Sequence, residues 1–377
     1  MQQKKIGIIT FYHLDNYGSL LQAYALSSFF NEQGFVSELI SFDEPNYLIK
    51  KTANKKILRI LNNLPYLINI RRKKVANAAI FANRSPFSSF RDERLKFSKP
   101  YRPGTLNTIS DYSAIILGSD QVLNPYCLND AFALNFTCEC PFFVYSASVG
   151  INEVDKAHYG YYQHLAKVER LSCREESNSR FLEEIINKKV DLTLDPVLLY
   201  DRAFFDALIK AEEKQDLKSY ALYFLLGNRL ENVKLAHYIS KQNQFKNVVT
   251  YPMCGDLYFF DRHCVIETDR SFSRLLINIK NASLVITDSY HIMLMAIIYQ
   301  RDFVFIPKHN DNSPSGENAR ITDFLRLVGL ENRFVQRRKD YRSLQPIDFS
   351  AVFKRLKTRK QASLDYLNSI ISRLNSK

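Results

Sequence analysis

The first apolar run of the chain, Ile6-Gly7-Ile8-Ile9-Thr10-Phe11, is short, rich in β-branched residues, and stops at the polar loop Tyr12–Ser19. Residues Leu20–Gln33 then carry apolar positions at helical spacing (Leu21, Ala25, Phe29) until Gly34, and Val36–Phe42 supplies the next strand. A strand, a loop, a helix and a strand in this order favour a parallel sheet with right-handed crossovers. Further along, Ala114–Leu117 runs into Gly118-Ser119-Asp120-Gln121 and Phe142–Ala147 ends in small residues. A short strand closes at Ser172–Arg174, and Val190–Leu194 meets Asp195-Pro196. Apolar runs that stop at polar or small loops are how open α/β sheets build a crevice at their strand ends.

A second set of the same kind begins near Ser219. Tyr220–Leu226, Asn247–Tyr251, Ser283–Thr287 and Phe303–Ile306 read as strands. Val233–Gln242, Phe272–Lys280 and Tyr290–Tyr299 read as helices between them, and Phe349–Leu374 as a last helix. The pattern therefore predicts an α/β protein with an N-terminal unit over residues 1–200, a C-terminal unit over 201–345 and a helix over 346–377. Two such halves predict a ligand cleft between them.

Composition changes this picture little, but charge adds to it. At 377 residues, 46% hydrophobic and 24% charged, the chain is too apolar for disorder and too poor in Gly and Pro for a fibre. No window approaches the roughly 20 uninterrupted apolar residues of a membrane span. The apolar run at the start is too short for a signal peptide and lacks a small-residue cleavage site, which predicts a cytoplasmic protein. The net charge of +13 is uneven: fifteen basic and two acidic residues lie between Lys50 and Arg102, and the segment from Arg333 onward is again strongly basic. The first segment reads as a basic helical insertion over about 50–102, broken at Pro65 and ended by Pro100 and Pro103. Within it, Ile57–Ile70 is apolar between two basic clusters, the pattern of a helix lying on anionic lipid at the inner membrane face or packed on the domain with its charges in water. No nucleic-acid recognition motif accompanies the charge, so no specific nucleic acid is expected. The six cysteines lack paired CxxC knuckles and are expected as buried thiols, with no metal site.

Candidate chemistry sits at the strand ends. The loop between the first strand and helix has one glycine where a dinucleotide fingerprint needs three, which disfavours a nicotinamide or flavin cofactor. Its helix N-terminus still favours an anion, with Asn16, Gly18 and Ser19 as contacts or as turn-formers only. Thr287-Asp288-Ser289-Tyr290-His291 delivers Asp288 and Ser289 to another helix N-terminus and His291 to its first turn, as anion donor, general acid or structural histidine. Arg174 is expected to face the same crevice, with a salt bridge to Glu175 or Glu176 as the alternative. Asn318 and Arg320 open a further helix as a third anion contact. Ser119, Asp120 and Gln121 form the remaining turn, in which Asp120 reads equally as a base or an N-cap.

At these residues the chain resembles the polysaccharide pyruvyl transferase family. The resemblance is carried in order by Asn16-Tyr17-Gly18-Ser19-Leu20-Leu21-Gln22-Ala23-Tyr24, Gly118-Ser119-Asp120-Gln121-Val122-Leu123-Asn124-Pro125, Tyr145–Gly150, Leu171-Ser172-Cys173-Arg174-Glu175, Leu194-Asp195-Pro196 and Val285–His291. It implies a GT-B-like architecture, two Rossmann-like domains facing across a cleft with the last helix packing back on the first domain. It also implies transfer of the enolpyruvyl unit of phosphoenolpyruvate to a saccharide acceptor, free or lipid-linked, giving a pyruvate ketal without a cofactor, with Arg174 and His291 as the essential donor-site residues. A GT-B glycosyltransferase using a nucleotide sugar is the alternative on the same fold. One departure stands out: Ile292 follows the histidine where the family commonly has Gly, and its larger side chain is expected to narrow the donor site.

Overall fold

The computed structural model describes residues 3–42, 85–102, 104–211, 217–227, 229–251, 264–308, 318–341 and 344–376. The stretch 50–84 of the basic insertion, with the Ile57–Ile70 segment, lies outside the described residues.

Two wholly parallel sheets form the frame. The first contains β1 (Lys5–Ile9), β2 (Val36–Leu39), β3 (Ala114–Leu117), β4 (Phe142–Ala147), β5 (Arg170–Cys173) and β6 (Val190–Leu192), in the order β2-β1-β3-β4-β5-β6. The second contains β7 (Tyr220–Phe224), β8 (Asn247–Thr250), β9 (Cys264–Ile266), β10 (Leu284–Thr287) and β11 (Phe303–Phe305), in the order β11-β10-β7-β8-β9. The strands are apolar on both sides because both faces are covered. On one face of the first sheet Ile6, Ile8, Ala114 and Ile116 pack with Leu26 and Phe30, and on the other Ile115, Leu117 and Val144 pack in a separate cluster. The strand Cys264–Ile266 is an element the periodicity does not reveal. It has three residues with one half-exposed, and pairing with β8 alone makes it a strand.

The helices that matter for the site are α1 (Tyr17–Glu32), α2 (Ser85–Arg94), α3 (Glu176–Ile186), α4 (Leu230–Gln242), α5 (Phe272–Asn281), α6 (Tyr290–Ile298), α7 (Ala319–Val328) and α8 (Phe349–Asn375). Helix α6 is buried along its whole length, so it needs no amphipathic pattern. Ile292 sits there, 1% exposed, inside the apolar cluster that also takes in β7, β10, α5 and, from the first sheet's side, Tyr17, Leu20 and Leu21. Its side chain belongs to the core; it is not among the residues that line the donor-side cavity described below.

The last helix crosses between the halves. Val352 and Leu356 pack in the cluster of the second sheet, whereas Tyr366, Leu367, Ile370 and Leu374 pack under Ile6, Ala114 and Phe143 of the first. The Tyr366 hydroxyl donates to the Val144 carbonyl at 2.7 Å and Ser363 Oγ accepts from Leu194 N at 2.8 Å. Among the described residues no helix is long and apolar enough to cross a membrane.

Cys138 and Cys140 correct the expectation of thiols. A tight bend brings their Cα atoms to 5.3 Å and the two sulfurs are paired, while Cys173 and Cys264 are buried and Cys127 half-buried, all three outside any disulfide among the described residues.

Candidate functional site

In each sheet the chain reverses its direction of growth once, between β1 and β3 in the first and between β7 and β10 in the second. Loops at such a point diverge and leave a crevice beyond the carboxyl ends of the strands. The two crevices meet. A Cβ placed on Gly18, in the first turn of α1, would stand 2.3 Å from His291 Nδ1 and 2.5 Å from its Cγ, so the imidazole of α6 lies directly on the glycine of α1. Gly18 is therefore a close-approach residue rather than a turn-former.

Asn16 is the N-cap of α1: its Oδ1 accepts from Gly18 N at 2.9 Å and Ser19 N at 3.4 Å. Ser19 Oγ donates to Asp120 Oδ2 at 3.0 Å, across from β1 to β3. The N-cap alternative for Asp120 does not hold, because the residues after it form no helix and its carboxylate points to Ser19 on one side and Arg174 on the other. Ser119 Oγ accepts from Arg174 Nη2 at 2.6 Å and donates to the Ser146 carbonyl at 2.9 Å. Gln121 is turned away from this group and holds the Gly150 carbonyl at 3.2 Å.

The centre of the arrangement is Asp195, which the sequence reading passed over. Its side chain is fully buried; Oδ1 accepts from Val197 N at 3.0 Å, and Oδ2 lies 2.7 Å from Arg174 Nη2 and 3.2 Å from His291 Nε2. One carboxylate oxygen thus joins the arginine that follows β5 to the histidine of α6. Burial pushes the Asp195 carboxyl up, but Arg174, and His291 after it, outweigh that and hold it below the usual carboxylate range. Arg174 itself makes no ion pair with Glu175 or Glu176. It faces Asp195, with Asp120 Oδ1 at 3.9 Å, and its Nε and Nη1 carry no hydrogen bond although the side chain is only 3% exposed.

Asp288 and Ser289 take structural positions. Asp288 accepts from Leu226 N at 2.6 Å and Gly227 N at 2.7 Å, tying together the two loops of the second crevice. Burial, ahead of the opposing charge of Lys308, raises its pKa. Ser289 occupies the N-cap position of α6 without a side-chain capping bond. Asn318 stands likewise at the start of α7, where the cap is supplied by Asn152, whose Oδ1 accepts from Ala319 N at 3.2 Å.

Tyr290 was also missed, because an aromatic residue at the first position of an apolar helix reads as core. Its ring lies 4.9 Å from the Arg174 guanidinium and 5.7 Å from that of Arg320, a cation on each flank. Arg320 enters the group through this ring. Glu175 completes it: it is 1% exposed, accepts from Ser148 Oγ, and leaves Oε2 without a partner. Burial, only partly offset by Arg174, raises its pKa.

A pH test follows from Glu175. Its folded pKa stands above the unfolded value of about 4.3, so folding takes up a proton in that interval and the ionised form costs stability as pH rises through it. Glu175→Gln removes this cost. Thermal melts of the two proteins across pH 4–8 are expected to show the variant gaining on the wild type as pH rises; a constant offset would assign Glu175 an ordinary pKa.

Comparisons with known proteins agree with the frame. A family model described as Polysaccharide pyruvyl transferase matches residues 16–310. No curated protein matches the chain significantly. Among solved structures, a putative UDP-N-acetylglucosamine 2-epimerase from Listeria monocytogenes superposes with a TM-score of 0.52 at 8% identity, over 96% of this chain and 90% of that one. UDP-GlcNAc 2-epimerase from Methanocaldococcus jannaschii, in complex with UDP-GlcNAc and UDP, gives 0.51 at 12% identity, over 99% and 100%. Arabidopsis thaliana UGT89C1 complexed with UDP-L-rhamnose gives 0.51 at 9%, over 99% of each. At these identities the likeness is one of fold, and it is the GT-B fold.

Proposed function

The chain belongs to the polysaccharide pyruvyl transferase family, and from that membership we propose that it transfers the enolpyruvyl unit of phosphoenolpyruvate to a sugar of a cell-surface polysaccharide or its lipid-linked precursor. The observation that carries the donor assignment is the convergence of Arg174 and His291 on one buried carboxylate oxygen. An arginine and a histidine that already share a carboxylate suit a donor bearing a carboxylate and a phosphate.

In this reading a sugar hydroxyl adds to the donor's C2 while C3 takes up a proton, and the hydroxyl's own proton goes to a base. A second hydroxyl then displaces phosphate from C2 and gives its proton to the departing phosphate, closing the ketal and releasing inorganic phosphate. Arg174 holds the donor's carboxylate. His291 supplies the proton to C3, and Asp195 keeps the ring oriented toward it. Asp120, hydrogen-bonded to Ser19 beside Arg174, is the base or the acceptor contact.

The experiment is calorimetry with phosphoenolpyruvate and a panel of nucleotide sugars, joined to a phosphate-release assay with oligosaccharide acceptors. Binding of phosphoenolpyruvate and acceptor-dependent phosphate release are expected. Tight binding of a nucleotide sugar alone would move the chain to the glycosyltransferase reading.

A further inference from the structure

A cavity of 130 Å³ lies behind Arg174, between the loops that follow β5 and β6, helix α7 and the returning helix α8. Its charged lining is Arg174, Arg326, Arg359, Glu176 and Asp323, with Tyr290 beside them. The two carboxylates already have partners. Glu176 pairs with Arg180 at 3.2 Å on the exposed side of α3. Asp323 accepts from Ser177 N at 3.1 Å and pairs with Arg326 at 3.3 Å, which also accounts for Arg326. What remains is Arg359, half-buried and without an ion pair among the described residues, and Arg174, with Nε and Nη1 unbonded in a side chain that is 3% exposed. Unpaired guanidinium N–H groups at a buried position are costly unless a ligand completes them. A space of this size, walled by these charged groups on one part and by Leu192, Leu194, Phe324 and Leu327 on the rest, holds several waters, and so a phosphate-sized group.

We propose that Arg359 and Arg174 form an anion subsite in this cavity that receives the phosphoryl group of the donor and, after transfer, inorganic phosphate. This rests on the pyruvyl transferase reading for its ligand and deepens it, because Arg359 belongs to the C-terminal helix, outside the matched region 16–310. Arginine suits the task through its planar fork of donors.

Isothermal titration of phosphoenolpyruvate, inorganic phosphate and pyruvate into the full-length protein tests it, with Arg359→Gln and Arg359→Lys beside the wild type and thermal melts to check folding. Arg359→Gln is expected to weaken phosphoenolpyruvate and phosphate by tenfold or more while leaving pyruvate unchanged, and Arg359→Lys to recover part of the loss. Competition between phosphate and phosphoenolpyruvate identifies donor and product as occupants of one subsite. A folded Arg359→Gln that binds both as the wild type does overturns the subsite and leaves the donor assignment standing. A wild type that binds phosphate in an Arg359-dependent way but no phosphoenolpyruvate keeps the subsite and overturns the donor assignment; one that binds neither overturns both.

Discussion

Asp195→Ala is expected to lower unfolding stability by about 3–5 kcal/mol, the cost of leaving buried cations without their counter-charge. Arg174 and, when protonated, His291 lose the one carboxylate oxygen they share, and Val197 N loses its acceptor. Asp195→Asn keeps the volume and is the better probe of activity. An amide presents one oxygen and one NH2 group, so it does not accept from Arg174 and His291 while also capping Val197. Displacing two donor-site groups by even 1 Å costs about 10²-fold, and phosphate release is expected to fall at least that far. Because the Asp195 carboxyl is held below its usual range, its contribution is present above about pH 4 and lost as pH falls through the depressed value. The stability gap between wild type and Asp195→Asn should therefore be widest at neutral pH and close in acid. A gap indifferent to pH would remove the ionised carboxylate from this account.

Gly18→Ala sets two opposed effects against each other. In a helix interior alanine is favoured over glycine by about 1 kcal/mol. Here its methyl would enter the space of the His291 ring, 2.3 Å from Nδ1. The ring has little room to retreat, with Asp195 at 3.2 Å from its other nitrogen and Tyr290 beside it. Overpacking of about 1–3 kcal/mol should win, and the imidazole should leave its place even where the fold survives. Turnover is expected to drop by about 10²-fold or more, approaching that of His291→Ala. A variant that is stabilised and fully active would show that the two helices do not meet as described.

These effects bear on how much of the molecule its sequence discloses. The frame was legible because parallel strands covered on both faces leave continuous apolar runs, as in Ala114–Leu117 and Leu284–Thr287. Helix α1 announced itself through the helical spacing of Leu21, Ala25 and Phe29, whereas the capping role of Asn16, read as an anion contact or a turn-former, emerged with the fold. Arg174 and His291 could be picked out because a cation beside a strand end or in a first helical turn is chemically pointed. Asp195 was visible only by half. Asp195-Pro196 reads as a turn, and one oxygen does cap Val197, but the partners of the other oxygen come from a different strand and from the other sheet. Gln121 and Asp288 show the converse. Polar residues in the right loops look like ligand contacts, and only the fold reveals that backbone groups of Gly150, Leu226 and Gly227 have already claimed them. Gly18 and Tyr290 depend on what faces them across the two halves, which no local pattern records. The basic charge of the C-terminal segment looked peripheral for the same reason, until α8 carried Arg359 to the cavity wall.

The returning helix also has a mechanical meaning. Its 27 residues span roughly 40 Å at about 1.5 Å per residue, and no Gly or Pro interrupts it. Rooted among Val352 and Leu356 at one end and among Tyr366, Leu367 and Ile370 at the other, it is a strut without an elbow. Any rotation of one sheet against the other must be absorbed at those anchorages, and Arg359 rides between them. The angle between the sheets and the width of the space around that guanidinium are one degree of freedom.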